Sequence, residues 1–266
     1  MNWFEAVILG IVQGLTEFLP VSSSGHLAIG QALFGVKEGN LSFDIIVHAA
    51  TVLSTIVVFW KPICKLVSGL FKFKYNDETK YVCMILVSLI PVLIVGLFFK
   101  DKVEALFGSG LIVVGVALFV TAALLFLSER ISDKKEGHEM DYKSAAWMGV
   151  AQAIAVIPGL SRSGATISAG LACGVKKEKV TQFSFLMVLI PVLGEMFLEL
   201  LHGGFTAQAA QIGSLPLALG FLSAFVSGLF ACKVMITVVR KAKLDWFAAY
   251  CVLAGIAALV LNYILK

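Results

Sequence analysis

A chain of 266 residues that is 59% hydrophobic and 14% charged, with a mean hydropathy of +0.94, lies far from the balance of a soluble domain. Its net charge of +4 does not point to nucleic acid, because the basic residues cluster between apolar blocks with no aromatic interleaving to stack bases. The five cysteines (Cys64, Cys83, Cys173, Cys232, Cys251) are scattered without metal-ligand or redox spacing, which leaves them structural roles.

The N-terminus lacks the basic start and small-residue cleavage site of a secretory signal, so residues 1–30 are expected to remain as structure. Residues 4–36 are apolar but interrupted by Pro20-Val21-Ser22-Ser23-Ser24-Gly25-His26. The second arm is only about 11 residues, too short to cross a bilayer, so the segment reads as a re-entrant helical hairpin. Three spans follow at 44–60, 82–100 and 109–128. Segment 129–143 mixes acids and bases as a solvated loop. A second interrupted stretch covers 145–175, broken by Pro158-Gly159-Leu160-Ser161-Arg162-Ser163-Gly164, and three more spans are expected at 181–201, 215–235 and 246–265. All should be helical, since an unpaired backbone amide in lipid is too costly. The expected fold is an all-α integral membrane protein of six transmembrane helices and two re-entrant hairpins.

The two halves resemble each other. Gly10-Ile11-Val12-Gln13 matches Gly149-Val150-Ala151-Gln152, and Ser22, Ser24 and Gly25 match Ser161, Ser163 and Gly164, all displaced by 139 positions. Repeat one is read as 1–128 and repeat two as 145–266, within a single membrane domain. Because each copy holds three spans, an odd number, the second is expected to be inverted in the membrane. A competing match, Leu89-Ile90-Pro91-Val92 with Leu189-Ile190-Pro191-Val192, is displaced by 100 and breaks the register. Of the 21 Lys and Arg, this topology puts only Lys37, Lys100, Lys102 and Lys266 on one face and, Arg162 aside, all others on the opposite one. By the positive-inside rule the rich face is cytoplasmic, which places both termini and the first hairpin's entry outside.

Arg162 is the exception because it falls at membrane depth, where arginine costs at least about 2.5–3.5 kcal/mol and needs a cavity or an anionic partner. Flanked by Ser161 and Ser163, its guanidinium can grip phosphate oxygens bidentately; the alternative is a buried ion pair with Glu17 or Asp44. The first hairpin offers Gln13, Glu17, Ser22, Ser23, Ser24 and His26. Gln13 and Glu17 are four apart and share a helical face. A carboxylate, hydroxyls and an imidazole opposite an arginine make an acid–base or nucleophile set. The glycine of each turn is expected to precede a helix whose free N–H groups face an anion. Asp44 and His48, four apart, could hold a metal, line an entrance or form an interfacial pair. Glu195 and Glu199 read as solvated or interfacial.

These motifs, Gln13-x-x-x-Glu17, Pro20 to His26, and Pro158 to Thr166, resemble those of the undecaprenyl-diphosphate phosphatase family, also called the bacitracin-resistance protein family, over essentially the whole chain. The resemblance implies an enzyme of the bacterial plasma membrane that hydrolyses the C55 lipid diphosphate to the monophosphate. That reaction recycles the carrier for cell-wall synthesis and competes with bacitracin for the diphosphate. By motif position it assigns Gln13 and Glu17 to the acidic or amide pair, Ser23 and His26 to the first catalytic turn, and Ser161, Arg162 and Thr166 to the second. It also implies dependence on Mg or Ca, for which Glu17 is the candidate ligand, although Gln13 weakens any scheme needing two carboxylates. The family's first position in the pair admits Glu or Gln.

The resulting expectation has His26, Glu17, Ser23 and Arg162 as catalytic residues, with the nucleophile left open between His26, Ser23 and water. Gln13, Ser22, Ser24, Gly25, Ser161, Ser163, Gly164 and Thr166 bind the head group. The expected partners are a polyprenyl diphosphate and membrane lipid, without nucleic acid; a homodimer is one option for the assembly. The rival reading is a transporter or flippase of the polyprenyl phosphate, which inverted repeats and broken helices also suit. The other lipid phosphatase family with a Ser-Gly-His turn fits poorly, because no histidine follows Arg162 at the short spacing it needs.

Overall fold

The computed structural model describes residues 1–36, 41–107, 110–132, 137–202, 212–241 and 243–265. The chain is an all-α membrane protein. The first hairpin is α1 (Trp3–Phe18) and α2 (Ser23–Leu33). It is followed by α3 (Leu41–Val58), α4 (Trp60–Leu70), α5 (Asp77–Phe98), α6 (Lys100–Phe107) and α7 (Leu111–Ser132). The second hairpin is α8 (Tyr142–Ile154) and α9 (Arg162–Ala172), and the chain ends with α10 (Lys177–Met187), α11 (Leu189–His202), α12 (Ser214–Lys241) and α13 (Asp245–Ile264). Shifting α2 by 139 positions lands on the two ends of α9.

Among the described residues four helices, α5, α7, α12 and α13, are long and apolar enough to cross a membrane, and the bent pair α3–α4 counts as a fifth if the two form one span. The most apolar window of α5 is only 22% buried by protein, and Leu97 and Phe98 are each 76% exposed, so most of its apolar surface needs lipid as solvent.

Two of the six expected spans are divided rather than continuous. Residues 44–60 belong to a helix that ends at Val58 and turns by 75° into α4. Residues 181–201 are divided at Val188 between α10 and α11 and form no continuous span. Each break stands three residues before a proline, Pro62 or Pro191. A proline has no N–H for the carbonyl four residues back and clashes with it, whereas the first turn of a new helix accepts it. Residues 101–107, between two of the expected spans, belong to the short helix α6, which begins at Lys100.

Close packing holds the hairpins. α1 lies along α12 through glycines: a Cβ on Gly10 would stand 2.4 Å from the Gly220 carbonyl, and one on Gly14 2.5 Å from that of Ala224. α8 meets α5 in the same way, with Gly149 over the Ser88 backbone. Such small-residue seams let helix backbones approach where lipid supplies no hydrophobic drive. Both short helices α2 and α9 rest on α7, which in turn packs against α13.

Segment 129–143 is not wholly solvated. Glu129 is 2% exposed, and its carboxylate takes two hydrogen bonds from Lys177 Nζ at 2.8 and 2.9 Å and one from the Leu244 amide at 3.3 Å. It ties the end of α7 to the starts of α10 and α13. The side chains of Glu195 and Glu199 lie outside the described residues.

Candidate active site between two serine turns

The two turns begin their helices alike. Ser22 caps α2 by accepting from the Gly25 amide at 3.2 Å, and Ser161 caps α9 by accepting from the Gly164 amide at 3.0 Å. Ser22 lies 3.3 Å from Ser24, and Ser161 lies 3.3 Å from Ser163, hydroxyl to hydroxyl. The helices thus start at Ser23 and Arg162, three residues earlier than expected, and the glycines sit inside the first turn. Among the described residues the amides of Ser23, Ser24, Arg162 and Ser163 make no hydrogen bond, which leaves two helix N-termini with open donors.

The turns touch. The Gly159 amide donates to Ser24 Oγ at 3.3 Å, and Ser163 Oγ donates to the Leu19 carbonyl at 3.1 Å. A Cβ on Gly159, whose φ is +86°, would be 2.6 Å from Val114 Cα of α7, so only glycine allows this approach. Thr121 of α7 accepts from the Ser161 amide at 3.0 Å and steadies the second turn.

Between the turns stands Glu17. Its Oε1 accepts from Arg162 Nη2 at 3.0 Å, and its Oε2 accepts from Ser23 Oγ at 2.5 Å and Gln13 Nε2 at 2.9 Å. His48 Nε2 lies 3.7 Å from the same Oε2. The structure thus brings Gln13, Glu17, Ser23 and Arg162 together. Arg162 makes the ion pair with Glu17 that was its alternative role, across the two hairpins; Asp44 instead accepts from Gln31 Nε2 at 2.8 Å.

Other expected residues are placed differently. His26 makes its described hydrogen bonds with the Ser22 carbonyl and with the hydroxyl of Tyr250, at 2.7 Å each, and not with Glu17 or Arg162. Thr166 Oγ1 is spent on the carbonyls of Arg162 and Ser163 and lies 2.6 Å from Ser184 Oγ. His48, read with Asp44 as a metal ligand, an entrance group or an interfacial pair, is part of the Glu17 cluster. Its one sequence signal, the four-residue spacing to Asp44, pointed to a pairing that the structure satisfies through the Asp44 carbonyl at 2.8 Å. Tyr250 carried no signal at all.

Beside this cluster opens a cleft lined by the polar side chains of Glu17, Arg162, Thr51, Thr55, Ser163 and Ser184 and by the apolar ones of Phe18, Val52, Phe185, Val188, Leu189 and Val192. Both helix breaks border this region, Val188 directly and Phe59 through its ring contact with Phe185 at 6.0 Å. A molecule with a charged head and an apolar tail matches that mixed lining.

No group of three His, Cys, Asp or Glu side chains stands close enough to cage a metal among the described residues. Magnesium and calcium need not be caged: one carboxylate plus substrate phosphate oxygens suffices for Mg. Glu17 fits that demand, as does the buried Oε1 of Gln13, which has no hydrogen-bond partner.

Known proteins match this chain along nearly its full length. The profile of the family described as bacitracin resistance protein BacA covers residues 6–257. The chain belongs to this family. Similar relatives include an undecaprenyl-diphosphatase of Bacteroides fragilis, 55% identical over 98% of this chain and 99% of its own. One of Parabacteroides distasonis is 57% identical over 97% and 98%, and one of Carboxydothermus hydrogenoformans is 40% identical over 98% of each.

Proposed function

We infer that this BacA-family chain hydrolyses undecaprenyl diphosphate to undecaprenyl phosphate and inorganic phosphate, and so recycles the lipid carrier of cell-wall synthesis and confers bacitracin resistance. The observation that carries the reading is the Arg162–Glu17–Ser23 cluster, joined across both turns beside a cleft lined by both polar and apolar side chains.

Arg162 grips the terminal phosphate, helped by the open amides at the starts of α2 and α9 and by Ser24, Ser161 and Ser163. The guanidinium would then exchange part of its pairing with Glu17 for phosphate oxygens. Ser23 is the favoured nucleophile, because its hydroxyl already donates to a carboxylate while the Nε2 edge of His26 is engaged by Tyr250. Glu17 takes the Ser23 proton, Ser23 Oγ bonds to the terminal phosphorus, and the bridging P–O bond breaks to release undecaprenyl phosphate. Water then attacks the phosphoserine with His26 as base, and Glu17 returns the proton to Ser23. A divalent cation, Mg or Ca, held by Glu17 and Gln13 would supply charge neutralisation on the diphosphate.

Phosphate release by the purified chain from undecaprenyl diphosphate, with and without EDTA, tests reaction, substrate and metal demand together. Release in detergent, where no two sides exist, separates hydrolysis from the flippase reading. Ser23→Ala at wild-type rate would exclude the serine nucleophile, and Arg162→Ala at wild-type rate would end the whole reading.

The shared boundaries of α2 and α9 and their common seat on α7 support two inverted copies of one unit. Loop charge then orients the first hairpin and both termini outward in the bacterial plasma membrane. Labelling of a cysteine placed at position 26 by an impermeant reagent tests that side; access from the cytoplasm alone would reverse it.

A further inference from the structure

His26 is held at both ring nitrogens. Nδ1 lies 2.7 Å from the Ser22 carbonyl oxygen, which can only accept, so Nδ1 carries a proton. In the neutral ring Nε2 is then an acceptor, and Tyr250 Oη at 2.7 Å donates to it. The two rings are nearly parallel, 6° apart in plane with centroids 5.5 Å apart. Tyr250 arrives from α13, 224 residues away in sequence, while the adjacent Cys251 Sγ reaches the Pro20 carbonyl of the first turn at 3.6 Å. This part of α13 therefore packs on the first turn at two consecutive residues. Tyr250 is 46% exposed, so the phenol stands between the imidazole and the exterior of the fold.

We propose that Tyr250 holds the Nε2 edge of His26 and passes protons to it through its hydroxyl, while the Ser22 carbonyl sets the Nδ1–H tautomer. The inference rests on the phosphatase reading with His26 as the base of the second step. As water attacks the phosphoserine, its proton moves to the phenol oxygen while the phenol proton moves to Nε2. The phenol stays neutral and the imidazole becomes imidazolium. Imidazolium Nε2–H then donates to the phenol oxygen, so the same contact serves both protonation states. The Ser22 carbonyl alone leaves the second edge of the ring unheld.

Tyr250→Phe keeps the stacked ring and removes only the hydroxyl. One hydrogen bond and one relay step predict a kcat for phosphate release from undecaprenyl diphosphate about tenfold below wild type, with KM unchanged. In the full chain labelled with 15N-histidine in detergent, the Nε2 resonance of His26 should lose its hydrogen-bond shift, while Nδ1 stays protonated on the Ser22 carbonyl. The resonances of His48 and His138 report that the variant is folded. Wild-type kcat in Tyr250→Phe, or an unchanged His26 spectrum, would overturn the proposal. Because the spectrum needs no turnover, it stays informative if wild-type protein releases no phosphate, an outcome that would sink the phosphatase reading instead.

Discussion

The two hairpins start from nearly the same design and end with different contents. In the first, the helix before the turn carries Gln13 and Glu17, and Gln13 Nε2 finds the carboxylate at 2.9 Å. In the second, the matching positions are Gln152 and Val156, and both amide atoms of Gln152 are buried without a partner. At the start of the following helix the relation reverses, with Ser23 in one and Arg162 in the other, and His26 opposite Ala165. What they share, a capping serine, a second serine and a glycine, opens helix N-termini toward one point. What they do not share is the charge that makes the point reactive, negative from one copy and positive from the other. A duplicated scaffold thus forms a binding geometry, and divergence of single residues makes the chemistry.

The largest effect should come from separating the two charges. Arg162→Ala leaves Glu17, whose side chain is 14% exposed, without its cation, and should cost about 3–5 kcal/mol of stability. Phosphate release should fall by roughly 10²–10³-fold or more. Glu17→Gln combined with Arg162→Met removes both charges, and should recover much of that stability while staying inactive. Thermal unfolding in detergent and phosphate release, measured on the same three proteins, separate support of the fold from support of the reaction. A double variant no more stable than Arg162→Ala would mean that the pair does not act as a unit.

A smaller contrast lies in the paired glutamines. Gln152→Leu removes a buried amide with no partner and should stabilise the chain by about 1–2 kcal/mol with activity kept. Gln13→Leu strips a hydrogen bond from Glu17 and should lower phosphate release about tenfold with little gain in stability. Equal effects of the two substitutions would remove the distinction between a working hairpin and its supporting copy.

Much of this contrast was readable before any coordinates. The displacement of 139 positions that relates the serine turns also relates the ends of α2 to those of α9, because the same capping serine starts each helix. Arg162, with Glu17 as its alternative partner, followed from the cost of placing charge in lipid, Gln13 from its four-residue spacing to Glu17, and Ser23 from the serine turn and the family resemblance. The breaks at Phe59 and Val188 did not follow, and local sequence explains why. Leu-Ile-Pro-Val lies inside the unbroken α5 at 89–92 and in the first turn of α11, directly after the break, at 189–192, so tertiary packing decides which proline follows a helix end. Tyr250 was equally hidden, since a tyrosine in an apolar span looks like any lipid-facing aromatic until the fold sets it on His26.

The smallest expected effect concerns the backbone of the two caps, which differ although their hydrogen bonds match. Ser22 has φ 70°, in the region glycine favours, whereas Ser161 has φ −68° and no strain. An L residue held at positive φ costs about 1 kcal/mol or more, and replacing a capping serine with glycine costs only a few tenths. Ser22→Gly should therefore be neutral or stabilising by about 0.5 kcal/mol, because relief of strain outweighs the lost hydroxyl. Ser161→Gly has no strain to relieve and adds freedom to the unfolded chain, so it should destabilise by about 0.5–1 kcal/mol. Opposite signs in the midpoint of thermal unfolding would place the strain in the first turn alone, beside Ser23 and Glu17, where it can help set the angle at which α2 presents its hydroxyl. Loss of stability in both variants would instead show the two turns to be equivalent in backbone and different only in side chains.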